Sequence, residues 1–441
     1  MKECGFMNIL IITTYFPPDT AIAAVRPYML AKYLTRLGEN VTVIRLGVID
    51  KLCGEFDLQA EKFEVITVDE GSSRTVNAPV LNKEGHKHLV YLPECVRRPL
   101  KTAYNTCKDQ YLDLKWIESS KKRFERQKMV IDNMADKSFD IVFSTYGELE
   151  NVFAGEYASK RFGAKWIMDF RDPLTAYNLS MRPLRNIYAD RVQSYALDNA
   201  DLVTTVSYSI SAGFRSKGLS ARVVTLTNGF DPESSAAADP APEKGVFRLC
   251  YTGQLYKQRV DALKYLVRTI KYLIDKGSID RNRIRVAYAG SESKAFSEVF
   301  EEAGLSDIAE NYGYLDKKEV VRLQMVSDVF LVLSWNTKRS RGVITGKFYE
   351  GISAELPILS VVSGDTPNSE LDMLDRKYGY GICCECCRKG DRRRLCGWLT
   401  EAYNAKIASG STGYKVPAAL KQAFRYDKLA LKLQRLMQSI L

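Results

Sequence analysis

Three observations predict an α/β protein made of two doubly wound halves, each a parallel sheet with helices on both faces. Apolar runs of strand length alternate with segments of helical periodicity along most of the chain. A stretch with three prolines and few bulky side chains, residues 232–245, interrupts that alternation once, and the alternation restarts after it. The length of 441 residues allows two or three domains of roughly 150 residues, each able to bury its own core.

In the first half, residues 8–14 form an isoleucine-rich run that reads as a buried strand and ends at Tyr15-Phe16-Pro17-Pro18-Asp19. A helix over 25–37 follows, with Met29, Leu30, Tyr33, Leu34 and Leu37 on one face and Gly38 closing it. Residues 41–44 are the next strand, and strand, helix, strand within about 40 residues begins a parallel sheet. The alternation resumes with strand 140–144, helix 151–161, strand 165–170, helix 185–199 and strands 201–206 and 222–226. Between them lies an irregular stretch whose part from 83 to 128 holds twelve Lys/Arg against six acids.

The second half reads as strand 247–251, helix 262–276, strand 284–289, helix 294–303, strand 329–333, helix 346–354 and strand 357–362. A final helix over 418–441 carries Leu429, Leu431, Leu433, Leu436, Met437 and Leu441. The expected organisation is an N-terminal domain, 1–231, with an irregular basic helical insertion at 49–139. A linker at 232–246, a C-terminal domain at 247–417 and the final helix follow. Ligands of such sheets sit outside the carboxyl ends of the strands, so the expected site is a cleft where the halves join.

The composition, 46% apolar and 27% charged, excludes disorder, collagen-like repeats and a small disulfide scaffold. The net charge of +11 favours anionic partners such as phosphates, nucleotides or an acidic membrane surface without choosing among them. No window reaches the roughly 18 apolar residues of a membrane span. Pro17, Pro18 and Asp19 interrupt the N-terminal apolar run, which argues against a signal peptide and for a cytoplasmic location. The ten cysteines read as reduced core thiols. Cys383-Cys384-Glu385-Cys386-Cys387 holds two overlapping C-x-x-C pairs but lacks the second, separated ligand pair of a zinc site, so a strand with small apolar thiols is the better reading. No G-x-G-x-x-G follows either first strand, which counts against a nicotinamide-dependent oxidoreductase, and nucleic-acid binding has only the charge surplus behind it.

Four motifs carry candidate chemistry. Tyr15-Phe16-Pro17-Pro18-Asp19 with Arg26 leads from the first strand into a helix start, where an arginine opposes the helix dipole unless an anion or a partner carboxylate answers it. The bland alternative is a Pro-stiffened loop with a surface arginine. Asp169-Phe170-Arg171-Asp172 gathers acid–base capacity at a strand end, or is an ion pair that fixes the loop. Gly253, with Lys257 and Arg259 beyond it, lets a backbone approach a phosphate and supplies charge to neutralise it. Thr345 or Gly346 caps a helix whose amides can bind phosphate, Lys347 adds charge, and Glu350 can accept two ribose hydroxyls. Solvated Lys and Glu at an ordinary helix start remain the alternative. Asn228-Gly229 is a turn pair at the edge of the first domain.

Tyr-Phe-Pro-Pro-Asp with Arg26, Trp166-Ile-x-Asp-Phe-Arg-Asp-Pro, Asn228-Gly-Phe-Asp, Tyr251-Thr-Gly-x-Leu-Tyr and Thr345-Gly-Lys-Phe-Tyr-Glu occur in this order over nearly the whole chain. Together they resemble the retaining GT-B glycosyltransferases of family 4, particularly bacterial enzymes of capsule and lipopolysaccharide O-antigen assembly. The resemblance implies two Rossmann-like domains facing a cleft, the acceptor on the N-terminal one, a nucleotide-sugar donor on the C-terminal one, and a last helix crossing back. It implies that Glu350 binds the donor ribose, that Thr345, Gly346 and Lys347 line the nucleotide pocket with Gly253 and Asn228, and that Arg259 with Lys257 holds the pyrophosphate. Retention follows from front-face attack, and no metal and no separate cofactor is implied, since basic groups and helix amides take the metal's place.

Three departures stand out. Gly342 occupies the position of the first glutamate of the family's E-x7-E pair. Ala21-Ile22-Ala23-Ala24 replaces a Gly-Gly loop. The active-site histidine has no counterpart, and Glu150 or Asn151 stands near its place. The catalytic candidates are therefore Arg259, Lys257 and Asp169, and the acceptor-side candidates Asp19, Arg26, Arg171, Asp172 and Asn151. The expected partners are a nucleotide-diphosphate sugar, a glycan or lipid-linked acceptor and, through the basic 83–128 segment, an anionic membrane surface, with no nucleic acid. A sugar-nucleotide 2-epimerase on the same fold and an inactive partner subunit are the alternatives.

Overall fold

The structure is a computed structural model that describes residues 6–19, 21–46, 61–68, 94–146, 148–174, 183–217, 222–234 and 242–441. It divides into two compact units. One comprises the chain up to Val206, Ser211–Leu226 and Ala430–Leu441, and the other Ser207–Ile210 and Thr227–Leu429.

The N-terminal unit runs β1 (Asn8–Thr13), α1 (Ile22–Arg36), β2 (Asn40–Leu46), β3 (Glu64–Val68), α2 (Glu94–Asp132), β4 (Ile141–Thr145), α3 (Glu150–Phe162), β5 (Lys165–Phe170), α4 (Pro183–Asn199), β6 (Leu202–Thr205), α5 (Tyr208–Arg215) and β7 (Arg222–Thr225). Its seven strands are all parallel in the order β3-β2-β1-β4-β5-β6-β7. Ile9, Leu10, Ile11 and Ile12 are wholly buried, as a strand covered on both faces requires. The chain reverses its direction of travel across the sheet between β1 and β4, so the crevice outside those two carboxyl ends is where this topology leaves room for a ligand.

The stretch expected to be an irregular insertion is more regular than its composition suggests. Part of it adds β3 to the sheet edge, and α2 is a 39-residue helix. Among its described side chains Asp113, Ser120 and Gln127, at every seventh position, are buried together with Ile131, so the buried stripe is largely polar and its hydrophobic periodicity is weak. The 83–93 part of the basic segment lies outside the described residues.

The C-terminal unit runs β8 (Phe247–Thr252), α6 (Lys257–Asp275), β9 (Ile284–Ala289), α7 (Ser293–Ala303), β10 (Ala309–Asn311), α8 (Lys317–Met325), β11 (Val329–Trp335), α9 (Gly346–Ser353), β12 (Ile358–Ser363), α10 (Glu370–Tyr378), β13 (Gly381–Glu385), α11 (Asp391–Ser409) and α12 (Ala418–Ala423). Its six strands are parallel in the order β10-β9-β8-β11-β12-β13, with the corresponding reversal between β8 and β11. Cys383 and Cys384 are buried in β13, and no group of three or more potential metal ligands occurs among the described residues.

The single helix expected over 418–441 is two, α12 and α13 (Tyr426–Gln438). The break has a backbone cause: Phe230 N–H donates to Phe424 C=O at 2.9 Å, and Tyr426 N–H donates to Phe230 C=O at 3.1 Å. Those groups are therefore lost to a continuous helix. Gly229 belongs to the same crossing. It serves close approach rather than a left-handed turn, since a Cβ there would overlap Phe424 C=O.

Packing of α3 on the sheet depends on one small residue. A Cβ at Gly155 would lie 2.6 Å from Trp166 Nε1 and overlap Ser144 Oγ, which accepts the indole hydrogen bond at 2.9 Å. Gly155→Leu is expected to cost about 1–3 kcal/mol through overpacking. Gly213→Ala in α5, where a Cβ meets nothing within 4 Å, is expected to leave stability unchanged or raise it by up to about 1 kcal/mol. Urea unfolding of the two variants checks the contrast.

Candidate functional site

In the N-terminal unit, one row of residues crosses the sheet near the carboxyl ends of its strands. Register pairs Thr67 with Arg45, Arg45 with Thr13, Thr145 with Asp169, and Asp169 with Thr204. Residues paired in register share a face, so these polar side chains form one band across strands that are otherwise apolar.

Asp169 is the centre of that band. Arg26 on α1 grips it with two hydrogen bonds, Nε to Oδ2 at 2.9 Å and Nη2 to Oδ1 at 2.8 Å. The hydroxyls of Thr145 and Thr204 donate to the same two oxygens at 2.9 and 2.7 Å. Arg26 is 3% exposed and Asp169 not at all, and Arg26 also donates to Leu226 C=O at 2.9 Å. Burial alone would raise the Asp169 carboxyl, but the Arg26 charge and these donors hold it below the usual carboxylate range. Arg26 thus answers a partner carboxylate, and Asp169 has both oxygens engaged.

Arg171 has a local cause. Pro27 lies inside α1 and has no N–H, so the carbonyl of Ala23, four residues earlier, lacks its helical donor. Arg171 Nη1 donates to it at 2.8 Å, while its Nε donates to Tyr146 C=O at 2.8 Å. Asn151 is also fully engaged: it donates to Thr14 Oγ1 and Thr145 C=O and accepts from Gln127 of α2. Beside it, Arg123 holds the buried Glu150 carboxylate in a two-point pair. Burial pushes that carboxyl up to about 7 against the pull of Arg123. Asp19 accepts the Ala21 N–H at 2.9 Å, and Asp172 is half-buried beyond the strand end.

In the C-terminal unit, Gly253 follows β8 with φ +133°, and a Cβ there would lie 2.7 Å from Cε of Lys347. Only glycine lets the Lys347 side chain lie across this turn. Lys347 in turn pairs with both carboxylate oxygens of Glu350 at 2.9 and 2.8 Å. Thr345 is the N-cap residue of α9, yet its side chain makes no capping bond and its buried Oγ1 has no hydrogen-bond partner. No acid stands in the first turn of α9.

Arg259, in the first turn of α6, donates to Gln254 C=O at 2.8 Å and lies against the Tyr256 and Trp335 rings, 4.9 and 5.7 Å from their centroids. Its Nε is buried without a partner, as is Ser334 Oγ near the end of β11. Lys257 is exposed at the first position of α6, whose first turn has no acid. Burial pushes the nearby Tyr251 phenol up to about 12. Asn228, half-buried, precedes the Gly229 crossing. The structure therefore brings Gly253 and Lys347 together with Glu350 and leaves Arg259, Thr345 and Ser334 with unanswered polar atoms. Sequence reasoning missed Ser334 and Trp335, which read as the end of an apolar strand. It also missed Arg45, although a charge inside Val41-Thr-Val-Ile-Arg-Leu was a visible signal.

Gly342 explains one departure. Its φ is +76°, and a Cβ would lie 2.5 Å from Ser207 Oγ and 3.0 Å from Ser209 Cβ. A glutamate at this position would be strained and would collide with both serines.

Residues 23–229 match the family model described as a glycosyl transferase 4-like domain. Among curated proteins, no sequence matches the chain. Among solved structures, it resembles a sucrose-phosphate synthase from Thermosynechococcus elongatus (13% identity, TM-score 0.62, covering 98% of this chain and 99% of the other). It also resembles a glycosyltransferase from Rickettsia africae (13%, 0.60, 98% of each chain). A third similar structure is a trehalose-6-phosphate protein from E. coli bound with UDP-2-fluoro glucose (13%, 0.57, covering 98% of this chain and 100% of the other). Residues 23–229 thus carry the match to a glycosyl transferase 4-like domain, and the two parallel sheets give the chain the GT-B fold.

The buried Arg26–Asp169 pair sets an acid limit. Because the folded carboxyl titrates below its unfolded value of about 3.9, its stabilisation is present above that pH and is lost as pH falls through the folded pKa. Asp169→Asn is expected to cost about 3–5 kcal/mol at neutral pH by leaving the buried Arg26 charge without its carboxylate. It should also flatten the stability profile below about pH 4, as measured by urea unfolding across pH.

Proposed function

We propose that this protein transfers a sugar from a nucleotide-diphosphate donor to an acceptor, with the donor on the C-terminal unit and the acceptor on the N-terminal one. The observation that carries the reading is the set of unanswered groups at the carboxyl ends of β8 and β11: Arg259 Nε, Thr345 Oγ1, Ser334 Oγ and an α9 N-terminus without an acid or side-chain cap. Buried polar atoms are normally satisfied, and helix N-termini favour anions, so a diphosphate fits what these groups lack.

In this reading Lys347 turns from Glu350 to the diphosphate, which frees the Glu350 carboxylate for the two ribose hydroxyls. Gly253 lets the donor approach the turn, Lys257 and Arg259 add positive charge, and Asn228 lies at the edge of the site. As the glycosidic bond breaks, negative charge gathers on the leaving diphosphate. Fixed cations and amides stabilise that state more than the bound donor, which is where the rate gain arises. In front-face attack with retention the acceptor hydroxyl bonds to the anomeric carbon as the sugar–phosphate bond breaks, and an oxygen of the leaving diphosphate takes the hydroxyl proton, so no side-chain base and no metal is required. Asp169 then acts as a scaffold rather than in proton transfer, because its two oxygens are already engaged. Arg26, Arg171 and Asn151 shape the acceptor side, with Asp19 and Asp172 nearer its opening. The acceptor is a glycan or a lipid-linked precursor of a cell-surface polysaccharide, such as a capsule or O-antigen. Work on such an acceptor would be cytoplasmic, at the inner face of a membrane. No described helix is long and apolar enough to cross one.

Thermal unfolding with UDP, GDP, CMP and TDP tests the donor site. One nucleoside diphosphate is expected to raise the midpoint, and Glu350→Gln is expected to weaken its binding about 10- to 100-fold, the value of a charge-assisted hydrogen bond. Silence across the panel would sink the donor reading. Incubating the matching nucleotide sugar alone separates the alternatives: conversion to an epimer without acceptor would make the chain a 2-epimerase.

A further inference from the structure

Three arginines of the N-terminal unit, Arg26 and Arg45 buried and Arg171 half-buried, lie near the carboxyl ends of its strands, and their partners differ. Arg26 has the Asp169 carboxylate. Arg171 has two backbone carbonyls, one of them left over by Pro27. Arg45, on β2 and only 7% exposed, has among the described residues a single neutral hydroxyl as its partner: its Nε donates to Thr67 Oγ1 at 3.0 Å. Among the described residues its Nη1 is buried with no hydrogen-bond partner, and Arg45 makes no ion pair.

The two residues in register with Arg45 are threonines, Thr13 and Thr67, so the sheet offers it no carboxylate. Asp19 is the acid whose charge it feels, yet Asp19 spends an oxygen on the Ala21 N–H and makes neither a hydrogen bond nor an ion pair with Arg45. A guanidinium always carries its charge. Removing it from water without an anion is destabilising, so an arginine left this way beside the β1–β4 reversal has the character of a binding group. Its planar fork suits an oxyanion with two or three equivalent oxygens.

We propose that Arg45 recognises an anionic group, a phosphate or a carboxylate, on the ligand of the N-terminal unit. Resting on the transferase reading above, this makes the acceptor an anionic compound. The Thr67 hydroxyl fixes the guanidinium through Nε and leaves Nη1 for the ligand. The residue then trades stability of the free chain for binding, as functional sites commonly do.

The test uses the full chain and Arg45→Met, both in an Arg259→Met background that silences anion binding at the donor site. Unfolding midpoints are recorded with rising inorganic phosphate or acetate at constant ionic strength. Without added anion, Arg45→Met is expected to unfold at the same or a higher temperature. Phosphate is expected to raise the midpoint of the parent by about 2 °C or more in a saturable way, and this rise should vanish in Arg45→Met. A shift with phosphate alone identifies a phosphate-bearing acceptor; a shift with acetate identifies a carboxylate. A parent that responds to neither anion, or a shift that persists undiminished in Arg45→Met, overturns the proposal, as does a lower midpoint for Arg45→Met with its anion response intact. Nucleoside diphosphate binding by Arg45→Met alone should match that of the unsubstituted chain. Failure of donor binding in the unsubstituted chain would therefore remove the donor reading and leave the Arg45 result standing.

Discussion

The pair between Arg26 and Asp169 is the constraint on which the N-terminal unit is arranged. One fully buried carboxylate collects α1 through Arg26, β4 through Thr145 and β6 through Thr204, while Arg26 reaches on to the carbonyl after β7. Four elements distant in sequence are thereby fixed at one level of the sheet. Packing alone would leave that level loose, because apolar contacts have no direction and strands of Val and Ile can slide. A charge pair with every oxygen answered tolerates only one arrangement. Glu150 with Arg123 repeats the device between α3 and α2, and the Asn151–Gln127 bond stands beside it. The carboxyl ends of β1 and β4 are thus held by directional bonds on both sides.

Much of this was legible in the sequence. The strands announced themselves as apolar runs bounded by Gly and Pro, and the alternation with helices gave two parallel sheets. Arg26 at a helix start was read as awaiting an anion or a partner carboxylate, and the partner is Asp169, a residue singled out from a different motif. What stayed hidden has physical reasons. Three of the side chains that α2 buries, Asp113, Ser120 and Gln127, are polar, so the hydrophobic period of its seam is diluted. The break between α12 and α13 comes from backbone bonds to Phe230, which leave no trace in side-chain pattern. The link from Pro27 through the Ala23 carbonyl to Arg171 joins two motifs that no spacing rule connects.

The two units also treat polar groups differently. Among the described residues of the N-terminal band, Arg26 and Asp169 answer each other, while Arg45 lacks an ion pair. At the carboxyl ends of the C-terminal sheet several polar atoms are unanswered at once, next to a helix N-terminus with no side-chain cap. A fold can carry an isolated orphan as strain. A group of them at a topological switch point is better understood as the imprint of a ligand that brings the missing acceptors.

In the donor site proposed above, the Lys347–Glu350 pair is a contact that binding would have to open. The donor reading assigns its two members to a phosphate and a ribose of one nucleotide, and in the structure each neutralises the other. At 22% and 36% exposure the pair keeps contact with water, and pairs of this kind are worth about 0–1 kcal/mol. Separating them therefore costs little compared with the charge-assisted bonds each can form to a diphosphate or a ribose. A fully buried pair such as Arg26–Asp169 could not be opened this way. The depth of each ion pair thus sorts scaffold from site: the pair sealed from water holds the sheet, and the pair left half-open can exchange its partner.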